Sequence, residues 1–357
     1  MNAPSDASGT VPPPSDVRAL QAPLLQGVSR TFALTIPVLP GRLRDVVGNA
    51  YLLCRIVDTI EDEPAVPLDA KRELSALFVD AVAGRAAPEA FRDGLSPHLS
   101  ERTLPAEREL VARSAEVLSV THGLQAEERA AIERCVRIMA EGMVHYQEQA
   151  PESFGLADLA DLDRYCYHVA GVVGEMLTEL FAHAIPEVAA ERPRMLRLGR
   201  SFGQGLQMTN ILKDLWDDRA RGACWLPRSV FAEEGFDLDR LRDGDVDDAF
   251  ARGLERLVGI AHGHLRNALT YTLAIPAREP GVRNFCLWAL GMAVLTLRRI
   301  HARPGFRSGA EVKISRRQVK ATVALSRLFA RRDGALRALF RAAARSLPPP
   351  PEGVLIA

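Results

Sequence analysis

Two stretches of the chain place carboxylates where they could hold a cation against phosphate. In Asn49 to Asp62, a helical turn of about 100° per residue puts Tyr51, Arg55, Asp58 and Asp62 on one narrow stripe, with Leu53, Val57 and Ile60 on the flanking faces. A cation, two carboxylates and a phenol set into an apolar helix require a counter-ion. In Gln207 to Asp218, the residues Gln207, Asn210, Asp214 and Asp218 share one face, with Asp217 at its edge. Each stretch therefore carries a D-x-x-x-D pair. Carboxylates one turn apart do not both ionise cheaply in a low-dielectric cleft, but together they can hold a hard cation such as Mg²⁺ that also bridges to phosphate oxygens. Acidic pairs at this spacing also occur on solvated helix faces. Two such pairs, each aligned with amides or with a Tyr/Arg couple, favour the ligand-binding reading.

The elements that must carry these stripes are helices. From Val17 onward the sequence is rich in Ala, Leu, Arg and Glu, has apolar residues at three and four spacing, and lacks β-branched alternation. The predicted fold class is all-α. Breaks are expected at Leu39-Pro40-Gly41, Pro64 to Pro67, Gly84 to Pro105, Pro151 to Gly155, Pro186, Pro193, Pro227, Gly235, Pro276 to Gly281 and Pro304 to Gly309. None is a long linker, so residues 17–346 are expected to form one compact domain, preceded by a disordered leader over 1–16 and followed by a loose tail over 347–357.

Composition excludes several classes. Lys plus Arg and Asp plus Glu number 45 each, so no global field argues for nucleic acid. The five cysteines are scattered and never form C-x-x-C, which disfavours a disulfide framework or a zinc ribbon and suits a reducing compartment. The N-terminus has neither a basic start nor an apolar run, so it does not read as a secretory signal. The longest apolar stretch, Phe285 to Leu297, is about half of what a membrane-spanning helix requires, and no span is predicted.

These residues resemble the squalene and phytoene synthase family from about Gln26 to Lys320. The most specific elements are Asp58-Thr-Ile-Glu-Asp62 and the run from Gln207 to Asp218. Supporting pieces are Ser29-Arg30-Thr31-Phe32, Tyr51-x-x-x-Arg55, the stretch Tyr165 to Gly174, and Trp225-Leu226-Pro227. The resemblance implies an isoprenoid-synthase helical fold in which Asp58, Glu61 and Asp62 on one wall and Asp214, Asp217 and Asp218 on the other hold Mg²⁺ against two diphosphates. Arg30, Arg55, Gln207, Asn210, Lys213 and Arg221 would bind diphosphate oxygens, a task that suits forked guanidinium groups.

The implied reaction joins two farnesyl diphosphates head to head. One ionises, the double bond of the second attacks the allylic cation, and a cyclopropyl diphosphate forms, which NADPH reduces to squalene. Tyr165, and after it Tyr51, are the candidates for the proton path beside the departing pyrophosphate. A buried tyrosine that merely satisfies its hydroxyl is the plainer alternative. Ala170, Gly171 and Gly174 would admit either a prenyl tail or a neighbouring helix. The reducing compartment suggested by the cysteines is expected to be the cytoplasm, and the apolar product suggests peripheral membrane contact.

The sequence departs from the family pattern in three places. Ala223 stands where an arginine is usual, leaving Arg219 or Arg221 to take its contact. Asn284-Phe-Cys286 and Val312-Lys-Ile314 resemble pieces of the NADPH-using members, yet Ala289 replaces a proline and Ser315 a basic residue. Lys313 and Asn210 are the candidates for an NADPH site, which without G-x-G-x-x-G would be built from side chains on helices. Dehydrosqualene, hydroxysqualene and phytoene are the alternative products. From other classes come a non-catalytic helical assembly factor and a di-iron bundle. The latter requires Glu-x-x-His, whereas Glu141 to His145 and Glu179 to His183 have the wrong spacing.

Overall fold

The computed structural model describes residues 16–149, 154–242 and 246–356, with the side chain of Arg30 outside that set. The described residues are helical and contain no strand; the one β-bridge joins Leu156 to Pro227. They group into two compact units, one formed by residues up to Ile36 and Gly41–Val144, the other by Pro37–Pro40 and His145–Ala357.

The first unit contains α1 (Val17–Val28), α2 (Arg30–Thr35), α3 (Gly41–Asp62), α4 (Leu68–Val82), α5 (Pro88–Leu95), α6 (Pro105–Ala112), α7 (Ser114–His122) and most of α8 (Ala126–Gln149). Asp16 caps α1 by accepting from the amides of Arg18 and Ala19 at 2.9 and 3.2 Å, satisfying donors that the first turn leaves open. Helix α3 is the core of this unit. Val46, Ala50, Leu53, Ile56, Val57 and Ile60 are all buried, and Gln21 of α1 donates to the Asp45 carbonyl at 2.9 Å. Phe78 and Phe91 pack at 4.6 Å between ring centroids.

The second unit begins with the end of α8. It continues through α9 (Leu159–Cys166), a single π-helical turn over Tyr167–Gly171, α10 (Val172–Ala184), α11 (Pro186–Ala190) and α12 (Arg192–Ala220). Then follow α13 (Arg228–Glu233), α14 (Asp248–Ala274), α15 (Pro280–Ala302), α16 (Gly309–Val312), α17 (Arg316–Phe329) and α18 (Asp333–Ala344). Helix α12 is its axis, lying against α10 and α14. A Cβ on Gly174 would lie 1.9 Å from the Gly199 carbonyl oxygen, and one on Gly203 would lie 2.1 Å from that of Ala170. The small residues after Tyr165 thus serve a close helix–helix approach.

Breaks fall where several of the prolines are expected to place them, and each of these prolines begins the helix that follows. Pro88, Pro105, Pro186, Pro193 and Pro280 all lie in first turns, where the missing amide costs nothing and the fixed φ favours the helix. The tail expected to be loose is held along α14. Asn267 donates to the Val354 carbonyl at 2.8 Å and accepts from the Ile356 amide at 3.0 Å, while His262 meets the Pro348 carbonyl at 2.8 Å. The expected leader lies outside the described residues except for Asp16. Helix α15 has 23 residues and a mean hydropathy of 1.2, enough by length and composition to cross a membrane, but 67% of that window is buried within the protein. It is built as a core helix, with Trp288 and Leu297 almost fully enclosed.

Candidate active site

The stripe read from the sequence is the accessible strip of α3. Tyr51, Arg55 and Asp58 are half-buried and Asp62 is exposed, while Leu52, Leu53, Ile56, Val57, Thr59 and Ile60 between them are buried. Apolar packing on both sides therefore fixes which side chains the helix offers. Arg55 sits 3.6 Å from Asp58 and forms a short contact with Glu107 of α6. Its Nε is buried and has no partner among the described residues. Burial, reinforced by the charges of Asp62 and Glu107 and opposed by Arg55, pushes the Asp58 carboxyl up to about 7. A carboxylate so placed gains from a hard cation.

The acids following Asp58 differ in role. Glu61 is half-buried, and Lys71 of α4, itself buried, donates to its carbonyl. Burial lowers the pKa of Lys71, while Glu61, Asp62 and Glu63 favour its charge. Glu63 is 3% exposed and accepts from the amides of Ala65 and Ser100 and from the Thr103 hydroxyl. Burial alone would raise its pKa, but these hydrogen bonds outweigh it and hold the carboxyl at about 2. Glu63 thus ties the 100–103 loop to the end of α3 and is a structural acid.

Ser29 and Phe32 of the Ser29-to-Phe32 element have a physical place. Ser29 caps α2 by accepting from the Phe32 amide at 3.0 Å, and the Phe32 ring lies 4.6 Å from that of Tyr51. Burial raises the Tyr51 phenol above its ordinary value, with Ser29 and Arg55 opposing.

On α12, Gln207 and Asp214 are half-buried, Asn210 and Asp217 exposed, and Asp218 buried. Here the carboxylates find cations on their own helix or at its C-cap. Lys213 Nζ lies 3.0 Å from Asp214, and Arg221 donates to Asp218 at 2.6 Å. Burial raises the pKa of Asp218, with Arg221 opposing and Asp214 and Asp217 reinforcing. Lys213 and Arg221, expected on phosphate, rest on carboxylates of the same motif. Of the two candidates to replace the arginine missing at Ala223, Arg221 is thus at the motif, while the Arg219 guanidinium lies 4.3 Å over the Phe154 ring.

A segment that sequence reasoning did not join to this motif presses against it. A Cβ on Gly309 would stand 3.1 Å from oxygens of both Asp214 and Asp217. Trp216 donates to the Phe306 carbonyl at 2.5 Å, fixing the loop before Gly309 onto α12. Lys313 is exposed just beyond α16, and its carbonyl accepts from Arg299. Ser315 caps α17 in a reciprocal box with Gln318, a local use for the residue that replaces a basic one.

Tyr165 is 5% exposed and clasped by aromatic rings. Trp225 stacks on it at 4.1 Å and 9°, and Tyr146 meets it edge-on at 5.1 Å. Trp225 is aimed there by the Leu156–Pro227 bridge, in which the Leu156 amide donates to Leu226 at 3.0 Å and the Arg228 amide to Leu156 at 2.8 Å. Tyr146 donates to Asp161 at 3.1 Å, and burial raises its phenol to about 12. The π-turn begins two residues after Tyr165. Glu107, Lys71, Gly309 and Tyr146 are the neighbours that sequence reasoning missed. They are joined to the motifs through space and carry no local signal.

Each acidic helix offers donors that suit Mg²⁺ in chemistry, hard carboxylate oxygens paired by helical turn. Among the described residues no three His, Cys, Asp or Glu side chains converge into a preformed metal cage. Mg²⁺ held by one or two carboxylates together with substrate phosphate would need none.

The sequence pattern of the squalene/phytoene synthase family matches residues 25–318. The squalene synthase ERG9 of Candida albicans is 30% identical over 285 residues, covering 79% of this chain and 61% of that protein. A squalene synthase of Nicotiana benthamiana is 31% identical over 288 residues, covering 80% and 65%. The chain thus spans about three fifths of the length of such relatives. Among solved structures, TcSQS with the ligand BPH1237 aligns with a TM-score of 0.71 at 24% identity, over 93% of this chain and 98% of that one. A dehydrosqualene synthase with ligand aligns at 0.64 and 19%, over 88% and 96%. Both show the shared all-helical fold.

Proposed function

The chain belongs to the squalene/phytoene synthase family, and from that premise we propose that it condenses two farnesyl diphosphates head to head through a cyclopropyl diphosphate to squalene. The observation that carries this reading is the accessible Tyr51, Arg55, Asp58 and Asp62 strip on an otherwise buried helix. Asp58, Glu61 and Asp62 would hold Mg²⁺ on α3, and Asp214, Asp217 and Asp218 would hold it on α12. When bound, the metal neutralises diphosphate charge and so favours departure of pyrophosphate. Arg55, Lys213 and Arg221 now rest on carboxylates, and transfer to phosphate oxygens would let each keep an anionic partner. Arg30, Gln207 and Asn210 complete the proposed diphosphate contacts.

Tyr165 would relay the proton lost as the cyclopropane closes, its hydroxyl oxygen taking that proton while its own hydroxyl proton passes to the departing pyrophosphate, with Tyr51 as the second candidate. The stacked Trp225 and edge-on Tyr146 support this role, since they fix the ring and offer aromatic surface to cationic carbons. NADPH would supply hydride for the second step, with exposed Asn210 and Lys313 as its polar contacts.

One observation favours a second reading, in which the product is dehydrosqualene or hydroxysqualene. Ser315, in place of the basic residue, is committed to capping α17. The test is incubation of the purified protein with farnesyl diphosphate and Mg²⁺, with and without NADPH, and mass spectrometry of the extracted lipids. Squalene only with NADPH is expected. A C30 polyene or alcohol irrespective of NADPH would reassign the second step, and absence of any C30 product would overturn the substrate.

A further inference from the structure

Many exposed arginines of this protein have carboxylate partners. Arg18 pairs with Asp45, Arg85 with Asp80 and Glu133, Arg192 with Glu179, and Arg278 with Glu187. Helices α17 and α18 depart from that rule. Residues 316–345 carry nine Lys or Arg and one acid, Asp333, and Asp333 is taken by buried Arg283 at 2.7 Å. Arg316, Arg317, Lys320, Arg331, Arg337 and Arg341 are exposed. None of them has an ion-pair partner among the described residues.

The same surface shows apolar side chains. Val323 and Phe329 of α17 pack inward on the cluster of Leu287, Trp288 and Leu336. The outward face carries Ala321, Ala324, Leu325 and Leu328, bordered along one side by Arg317, Lys320 and Arg331. Leu325 is 41% and Leu328 67% exposed. Exposed leucines beside a band of cations without acids are the pattern of a helix lying in a membrane interface, apolar side chains among the acyl chains and cations on lipid phosphates. A nucleic acid would use the cations but offer the leucines nothing to enter.

We propose that the outward face of α17, with the arginine stripe of α18, docks the protein onto an anionic phospholipid bilayer. The attachment is peripheral and reversible, and it stands independently of the reaction assigned above. The full chain is sedimented with phosphatidylcholine vesicles with or without phosphatidylglycerol, at low and high salt. Salt-sensitive binding that requires phosphatidylglycerol is expected. Because each cation near an anionic surface contributes about fivefold, the double variant K320E/R331E should lose well over tenfold in affinity. The variant L325S/L328S should lose about tenfold and keep the salt dependence. Both alter exposed positions, and unchanged circular dichroism verifies the fold. Equal binding by wild type and K320E/R331E, equal binding to both vesicle types, or binding to duplex DNA but not to vesicles would each overturn the proposal.

Discussion

The two acidic helices carry the same motif in different electrostatic states. On α12 each of two carboxylates has a nearby cation, Lys213 of the same helix on Asp214 and Arg221, which caps its C-terminus, on Asp218. On α3 a single guanidinium, Arg55, is divided between Asp58 and Glu107, and the Asp58 carboxyl is driven up by burial and by Asp62 and Glu107. The α12 set is nearly neutralised by its own residues, whereas the α3 set has more negative charge than its one arginine offsets. A metal–diphosphate ligand should matter more to the second kind of site, because there it relieves repulsion as well as adding contacts.

That difference can be broken by charge removal. Asp58→Asn is expected to lower turnover on the order of a thousandfold, with helix content unchanged. Its melting temperature should hold or rise, since the substitution removes a crowded carboxylate while Arg55 retains Glu107. Asp214→Asn should lose less, on the order of a hundredfold, because Lys213 and Arg221 already offset the charge of that set, and it should gain no thermal stability. Turnover assayed at limiting Mg²⁺, beside thermal melts, checks both. Near-normal rates in either variant would sink the clamp assignment, and equal melts would erase the distinction between the helices.

Two substitutions sharpen the picture around α12. Tyr165→Phe keeps the stacking with Trp225 and removes only the hydroxyl, so cyclopropyl formation should fall about a hundredfold with substrate binding retained. Single-turnover assays set against ligand-binding measurements separate these. Equal loss of both would make Tyr165 a packing residue. Gly174→Ala places a methyl 1.9 Å from the Gly199 carbonyl oxygen, so α10 and α12 must move apart at a cost of about 2–3 kcal/mol. Denaturant unfolding reads that cost, and an unchanged midpoint would mean that the helix approach is soft.

The helical fold and both stripes were legible because they depend on spacing along one helix. Tyr51, Arg55, Asp58 and Asp62 recur at three and four residues, and burial of Leu53, Val57 and Ile60 follows from the same period. What could not be read was set by contacts distant in sequence. Glu107 reaches Arg55 from 52 positions away, and Trp216 fixes Phe306 from 90. The tail shows a different failure. Its prolines exclude a helix, but an extended segment still presents carbonyls, and Asn267 and His262 of α14 bind them. A proline-rich composition argues against helix and not against order.

Gly309 tests the comparison most finely, because it touches the α12 acids without belonging to them. Its hydrogen faces Asp214 and Asp217, and a methyl there would meet both carboxylates and the Lys213 carbonyl at 3.1 Å. At that distance the neighbours must yield by a few tenths of an ångström. A misplacement of about 1 Å at a reacting centre costs about a hundredfold, so Gly309→Ala should weaken the apparent Mg²⁺ affinity by about threefold, leaving the saturated rate and the melting temperature nearly unchanged. Activity titrated with Mg²⁺ reads the effect. An unchanged Mg²⁺ dependence would show that the acids of α12 adapt freely, and that the self-neutralised motif tolerates displacement better than its counterpart on α3.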